Sequence, residues 1–264
     1  MNNLTSFKEF SQRVSLSRQD ICREIFEDNR QHIKIKKEKT VVKNLVRIFD
    51  AALKISNQTG FQAMSMRSLS RETGLSMGGL YAYFSGKEDL LEMLHSIGHT
   101  TTWRTLEENL NGLTDPVARL RVAIQTHLFL SEVMQPWFYF SYMEARHLPP
   151  TQKERSKNAE LETERLYADI IDDGVRQGCF AVDDVLLAAS VIKAMLQDWY
   201  IKRWKYAKRG VSVDRYGLFL VDLVEAFCLA PEYRKRKALE RGDDGLFGPA
   251  EGRPAGRRAA DRGN

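Results

Sequence analysis

Cysteine is scarce in this chain: Cys22, Cys179 and Cys228 are the only three in 264 residues, and no two form a C-x-x-C pair. Such scattering excludes a disulfide framework and suits a reducing compartment, so a cytoplasmic location is expected. Long apolar runs are also missing. The longest, Val185 to Ile192, stops at Lys193, far short of the ~18–20 residues that a membrane span needs. No membrane partner is expected. The first residues set Lys8, Glu9 and Arg13 among few apolar side chains, so no signal-peptide core is expected there. G-x-S-x-G, G-x-G-x-x-G, Walker A and H-E-x-x-H signatures are all absent, which argues against the commonest hydrolases and nucleotide enzymes. No cofactor is expected.

What remains is an ordinary globular composition, 43% hydrophobic and 28% charged, punctuated sparsely by glycine and proline. The apolar positions recur near every 3.6 residues rather than every second one, and no convincing strand appears, so the fold class is all-α. Val42, Leu45, Val46, Phe49, Ala52 and Leu53 form one helical face that ends at Gly60. Ser65 is placed to cap a short helix through Leu69 to Thr73, closed by Gly74, and Ser76 to cap another from Met77 to about Phe84. Ser85-Gly86-Lys87-Glu88 fits an S-x-x-E capping box for a longer helix through Leu90, Leu94 and Ile97. Asp115-Pro116 opens the next helix. Pro136 leads an aromatic segment that Pro149-Pro150 ends. Residues 151–177 carry only a thin apolar stripe and are expected to lie on the surface, whereas 183–206 and 213–229 are the two most apolar helices.

Net charge is +5, and the excess sits at the ends: residues 1–50 carry 11 basic against 7 acidic side chains, and residues 232–264 carry 9 against 6. The first 38 residues read as an extension of one or two amphipathic helices, followed by a basic arm of Lys34, Lys36, Lys37, Lys39 and Lys43. Such an arm is either a solvated face or a contact to a DNA groove or backbone. Residues 232–264 are rich in Arg, Gly, Ala and Asp with few apolar anchors, and are expected to be a disordered basic tail.

The chemistry concentrates in residues 65–84, two short helices about a Gly74-centred turn, which is the helix-turn-helix pattern. Leu69, Leu75 and Leu80 would seat the pair on the preceding helix. The second helix then presents Ser76, Met77, Gly78, Gly79, Tyr81 and Tyr83, with its N-terminal residues able to meet base edges in a major groove. Paired glycines allow close approach, and tyrosine supplies a hydroxyl for phosphate and a ring for a thymine methyl. Lys87 adds a cation beside free backbone N–H groups, which suits a phosphate. Phe84 is expected to pack between the helices.

These residues carry a family resemblance. Ile48-Phe49-Asp50-Ala51-Ala52-Leu53, Gly60-Phe61, Gly74-Leu75-Ser76 and the run Leu80 to Leu90 (LYAYFSGKEDL) resemble, in order and distance, the DNA-binding domain of the TetR/AcrR family. The resemblance covers roughly residues 40–95. It implies a homodimeric transcription regulator, usually a repressor, whose C-terminal helical domain binds a small molecule. It also implies DNA contacts from Ser65 and Arg67 on the first motif helix, from Ser76, Gly79, Tyr81 and Tyr83 on the recognition helix, and from Lys87 to phosphate. Two positions depart from the pattern: Tyr83 stands where many relatives have histidine, and Ala82 where a polar or aromatic residue is common. The expected layout is an extension over 1–38, a three-helix helix-turn-helix domain over 39–86, a ligand-binding and dimerisation domain over 87–231, and the tail over 232–264.

The expected partners are a dyad-symmetric double-stranded DNA operator, a second copy of the chain through the helices of 183–206 and 213–229, and a small hydrophobic effector that releases the DNA. Trp103, His127, Trp137, Tyr139, Tyr142, Met143 and Trp199 are candidate effector contacts, with ordinary core packing the competing role for the aromatic cluster. One alternative comes from a different class. Glu92-x-x-His95 and Glu144-x-x-His147 repeat the E-x-x-H pattern of carboxylate-bridged di-metal enzymes in helical bundles, and His95 and His99 share the i, i+4 spacing of a metal pair.

Overall fold

The computed structural model describes residues 6–15, 17–145 and 148–240. Among them are thirteen helices: α1 (Phe7–Ser15), α2 (Ser17–Asp28), α3 (Glu38–Thr59), α4 (Met66–Thr73), α5 (Met77–Leu80), α6 (Lys87–Leu110), α7 (Pro116–Val133), α8 (Gln135–Glu144), α9 (Pro150–Arg176), α10 (Val185–Ile201), α11 (Arg203–Lys208), α12 (Val213–Cys228) and α13 (Pro231–Glu240). The one β feature among these residues is an isolated bridge between Phe180 and Leu229, so the chain is all-α.

Local chemistry sets most boundaries. Asp115 accepts the Ala118 N–H at 3.0 Å ahead of Pro116, Asp184 accepts that of Leu187 at 2.9 Å, and Ser212 accepts that of Arg215 at 3.2 Å, satisfying donors that a first turn leaves free. The box expected at Ser85 closes one residue later. Ser85 N–H donates to Asp89 Oδ2 at 2.9 Å while Gly86 takes the N-cap position, so Asp89 and not Glu88 supplies the reciprocal acceptor. α7 is the spine of the C-terminal half: α1, α6, α8, α9, α10 and α12 all pack on it.

Three further differences from the sequence pattern have physical causes. α9 does not lie on the surface, since Tyr167, Ile170 and Ile171 are fully buried against α7 and α10; only its N-terminal part, with exposed Leu161, keeps that character. The helix over 183–206 breaks at Lys202 into α10 and α11. The expected tail begins as a helix, α13, anchored where Arg234 donates to the carbonyls of Glu225 and Ala226 in the last turn of α12; within α13, Arg236 lies 5.1 Å from the Tyr233 ring centroid. Residues 241–264 lie outside the described residues.

The N-terminal extension is a strap across both halves. Phe7 and Phe10 of α1 pack against Phe129 of α7, with centroids 5.8 and 5.7 Å apart, and Phe7 N–H donates to Asp214 of α12 at 2.8 Å. α2 then packs on α3 and α6, joined by Arg23 to Glu38 at 2.9 Å and Arg104 to Glu24. Beyond α2, Lys34 N–H donates to the Ala82 carbonyl at 2.9 Å.

Candidate nucleic-acid interface

α3, α4 and α5 build a small three-helix head. Ser65 caps α4 by accepting the Ser68 N–H at 3.0 Å, and Ser68 Oγ accepts the Ser65 N–H at 3.0 Å, a reciprocal pair. Gly74 ends α4 at φ +63°, a left-handed turn that strains any residue with a Cβ. It is also crowded, because a Cβ there would sit 2.8 Å from the Arg47 guanidinium. Ser76 caps α5 by accepting the Gly79 N–H at 3.0 Å. α4 packs on α3 and α5 on α4, with Leu69 and Leu80 fully buried.

α5 is shorter than the expected Met77–Phe84 helix. It ends at Leu80, and residues 81–83 continue as a turn in which Tyr83 N–H donates to the Leu80 carbonyl at 3.0 Å. That shortening separates the two tyrosines. Tyr81 is exposed, whereas Tyr83 is 1% exposed and its hydroxyl accepts from Asn44 Nδ2 at 2.6 Å. Burial raises the Tyr83 hydroxyl pKa, with the Asn44 hydrogen bond opposing. Tyr83 is therefore a core residue of the head and not the DNA contact expected of it. Phe84 is buried, as expected.

The outer rim of the motif holds Ser65, Arg67, Ser76, Gly78 and Tyr81, all exposed, with Met77 and Gly79 half-buried. The two glycines differ. A Cβ on Gly79 would approach Ser76 Oγ at 3.2 Å, so the internal packing constrains it, whereas a Cβ on Gly78 would meet nothing within 4 Å. Neither a positive φ nor an internal contact requires glycine at 78. Lys87 is half-buried: Nζ donates to the Gln62 carbonyl at 2.8 Å and lies 4.9 Å from the Phe61 ring centroid, and burial lowers its pKa. Arg71, which the motif pattern did not single out, is exposed on α4. On the outer face of α3, Lys43, Arg47 and Lys54 line a shallow groove of about 370 Å³ with Asp50 and Glu72, where Lys54 pairs with Glu72 at 2.6 Å.

The candidate effector residues are dispersed. Trp137 is buried against Phe49 of α3, centroids 5.8 Å apart, so it joins the C-terminal half to the head. Trp199 is buried among Tyr206, Tyr216 and Arg203, and its indole N–H donates to Glu132 at 2.9 Å; its polar atom is taken by an internal partner. The Trp103 indole donates to Glu107 on the surface at 2.7 Å. Tyr142 is exposed, while Tyr139 and Met143 are half-buried. Only His127 among the seven is buried with both ring nitrogens unpartnered.

The di-metal alternative is not assembled. Glu92 pairs with Arg155 at 2.8 Å, and Glu144 accepts the Phe61 N–H at 3.1 Å. His99 faces Glu162 at 3.1 Å, and His95 packs 5.5 Å from the Phe140 ring centroid. His147 lies outside the described residues. Among the described residues no three His, Cys, Asp or Glu side chains converge on a possible metal position, and no helix is long and apolar enough to cross a membrane.

Comparison with known proteins agrees with this geometry. Residues 48–94 match the family described as bacterial regulatory proteins, tetR family, and residues 113–223 match the tetracyclin repressor-like C-terminal domain. The transcriptional regulator HbdR of Aromatoleum sp. (strain CIB) is 24% identical over 184 residues, 69% of this chain and 80% of its own. The crystal structure of the TetR family regulator PfmR from Thermus thermophilus is 25% identical with a TM-score of 0.61, covering 69% of this chain and 98% of that one. AibR, solved with isovaleryl coenzyme A and operator DNA, shares the fold at 17% identity and a TM-score of 0.61, covering 68% and 97%. A helix-turn-helix head joined to a helical C-terminal domain, each half matched separately, places this chain in the TetR family of transcriptional regulators.

Proposed function

We propose that the protein is an effector-released repressor that binds a dyad-symmetric operator as a homodimer in the cytoplasm. Residues 39–86 form the reading head and residues 87–231 the effector-binding and dimerisation domain. The observation that carries the reading is the rim of α5: a glycine at 78 that no internal contact requires, flanked by exposed Ser76 and Tyr81 and by Arg67 and Arg71 of α4. An uncovered helix end of this kind fits a major groove, with Tyr81 and the arginines meeting bases and phosphates. Ser65 contributes through its exposed hydroxyl, and Lys87 through the donors that Gln62 leaves free.

Dimerisation is supported by an apolar face on α10 and α12. Leu186, Leu187, Val191, Leu218, Leu223, Phe219 (65% exposed) and Phe227 (66% exposed) all stand uncovered there. Seven large apolar side chains on two adjacent segments exceed what a monomer leaves to water. A two-fold axis beside these helices would bury them as a four-helix contact and set two reading heads on one face of DNA. The relatives support the rest: AibR is solved with an acyl-coenzyme A and operator DNA, and KstR2 of Rhodococcus jostii, 26% identical, is a transcriptional repressor.

The test is fluorescence anisotropy on DNA from upstream of the protein's own gene. Wild type should bind it in preference to a scrambled duplex, and Tyr81→Ala with Arg67→Ala should remove most of that preference. Equal binding by the double variant would sink the assignment of the head.

A further inference from the structure

The interior of the C-terminal half holds polar groups that packing does not explain. His127 on α7 is 1% exposed, and neither Nδ1 nor Nε2 has a hydrogen-bond partner among the described residues. Its ring is walled by Phe138 of α8 at 5.7 Å and Tyr167 of α9 at 6.3 Å between centroids. Burial first, and the Lys193 charge second, hold His127 well below its ordinary pKa, so the ring is neutral and offers one donor and one acceptor. Lys193 of α10 is 5% exposed and faces Glu160 of α9 at 3.4 Å. That carboxylate also takes the Gln197 amide, leaving donors of the ammonium to spare. Buried Tyr200 completes the wall, 5.1 Å from Phe138.

A leucine would pack better at either position, and buried polar groups are ordinarily matched. His127 is unmatched, and Lys193, paired with Glu160 alone, keeps donors to spare, so the two together point to a partner that arrives. Its chemistry follows from what is spare: the remaining donors of the buried Lys193 ammonium, an imidazole, and three aromatic faces. Glu160 offsets the Lys193 charge, so hydrogen bonding decides: a quaternary ammonium neither donates nor accepts and would leave both residues unmet, whereas a carboxylate would accept from the spare Lys193 donors and from the imidazole N–H.

We propose that this is the effector site, that it takes a hydrophobic monocarboxylate, and that Lys193 and His127 hold the head group while Phe138, Tyr167 and Tyr200 hold the body. The assignment rests on the effector-release reading above and supplies a route for it. Phe138 borders the site, and its neighbour Trp137 packs on Phe49 of the reading head. α8 is tied to the head at two more points, by Asn57 Nδ2 donating to the Pro136 carbonyl at 3.0 Å and by Phe61 N–H donating to Glu144. A ligand that displaces Phe138 moves the helix on which the head rests. It shifts the equilibrium only by its differential affinity for the two positions of α8.

Three ten-carbon probes below their micellar concentrations test this on the full-length protein: decanoate, decan-1-ol and decyltrimethylammonium. Calorimetry reads binding, and anisotropy reads release of the upstream DNA. Decanoate should bind at least tenfold more tightly than the other two and release the DNA. Lys193→Met should collapse the decanoate-to-decanol preference at least tenfold, and His127→Phe, of similar volume, should lower it in the same direction even if Lys193→Met fails to fold. Equal binding of the cation, an unchanged preference in both variants, or no binding by any probe (an interior water as the only partner) would overturn the carboxylate assignment. DNA release by decanol or the cation overturns that assignment and leaves effector release standing. Decanoate binding without release does the reverse.

Discussion

Gly78→Ala separates a folding role from a reading role, because the two predict opposite signs. Within the molecule the new Cβ meets nothing within 4 Å, and the backbone there is not at positive φ. Alanine is the better helix former by about 0.5–1 kcal/mol in a helix interior; near the α5 N-terminus the gain is at the lower end of that range. Thermal or urea unfolding should therefore show Gly78→Ala at least as stable as wild type. Operator binding should weaken, because the methyl group occupies space the proposed groove contact requires. A disturbed base contact costs roughly 1–3 kcal/mol, and each dimer carries two heads. Even at the low end that is about 2 kcal/mol per dimer, or roughly thirtyfold in affinity. Anisotropy with the upstream DNA measures it. A variant that is equally stable and binds within twofold of wild type would refute the reading of α5. Gly79→Ala is the internal contrast, since its Cβ presses on Ser76 Oγ at 3.2 Å and should reduce stability as well.

Tyr83→Phe leaves the half-buried Asn44 amide without its 2.6 Å partner, so it should cost about 0.5–1.5 kcal/mol of stability while the preference among operator sequences stays the same; urea unfolding and a competition assay against altered operators report the two. Burial lowers the His95 pKa to about 4 from the ordinary 6.5. The unfolded chain thus binds that proton first, so this contribution to stability is complete above pH 6.5 and is lost as pH falls towards 4. At pH 5 the loss from His95 alone should be about 2 kcal/mol, with His127, also held low, adding in the same direction; His95→Phe should reduce the fall in urea midpoint between pH 7 and 5, leaving the part due to His127. Phe219→Asp with Phe227→Asp places charges on the exposed face of α12 and should yield a monomer by light scattering with operator affinity reduced at least a hundredfold. Phe10→Ala, at a site buried against Phe129, should cost about 3–5 kcal/mol by chemical denaturation if the N-terminal strap folds with the body.

The head was legible because its signals are local. Ser65 and Ser76 before short apolar helices and Gly74 between them are capping and turn chemistry, readable without knowing what packs on what. Tyr83 was not, because Tyr81 and Tyr83 look alike in a string of letters. Their separation depends on α5 stopping after Leu80 and on Asn44 waiting on α3, a partner 39 residues away. The same reasoning applies to the extension, where Phe7 and Phe10 show an amphipathic pattern but nothing near them announces Phe129. For α9, a count of Leu, Ile and Val missed the burial of Tyr167, Thr163 and Ala168. The first part of the basic tail is held as a helix where Arg234 reaches the Glu225 and Ala226 carbonyls in the last turn of α12, a contact that composition does not carry. Among the aromatic candidates for the effector, hydrogen bonding decided: Trp103 and Trp199 have protein partners, and His127 has none.

A hydroxyl-radical footprint of the purified protein on DNA from upstream of its own gene, repeated across a salt series, bears most directly on the central claim. Two protected segments related by dyad symmetry, with centres about 34–36 Å or a multiple of that apart along the duplex, are predicted. The affinity should fall linearly in log–log form with salt, by about 0.9 in slope for each phosphate neutralised. Protection that is uniform along the fragment, or a single unpaired segment, would contradict a dimer reading DNA through α5.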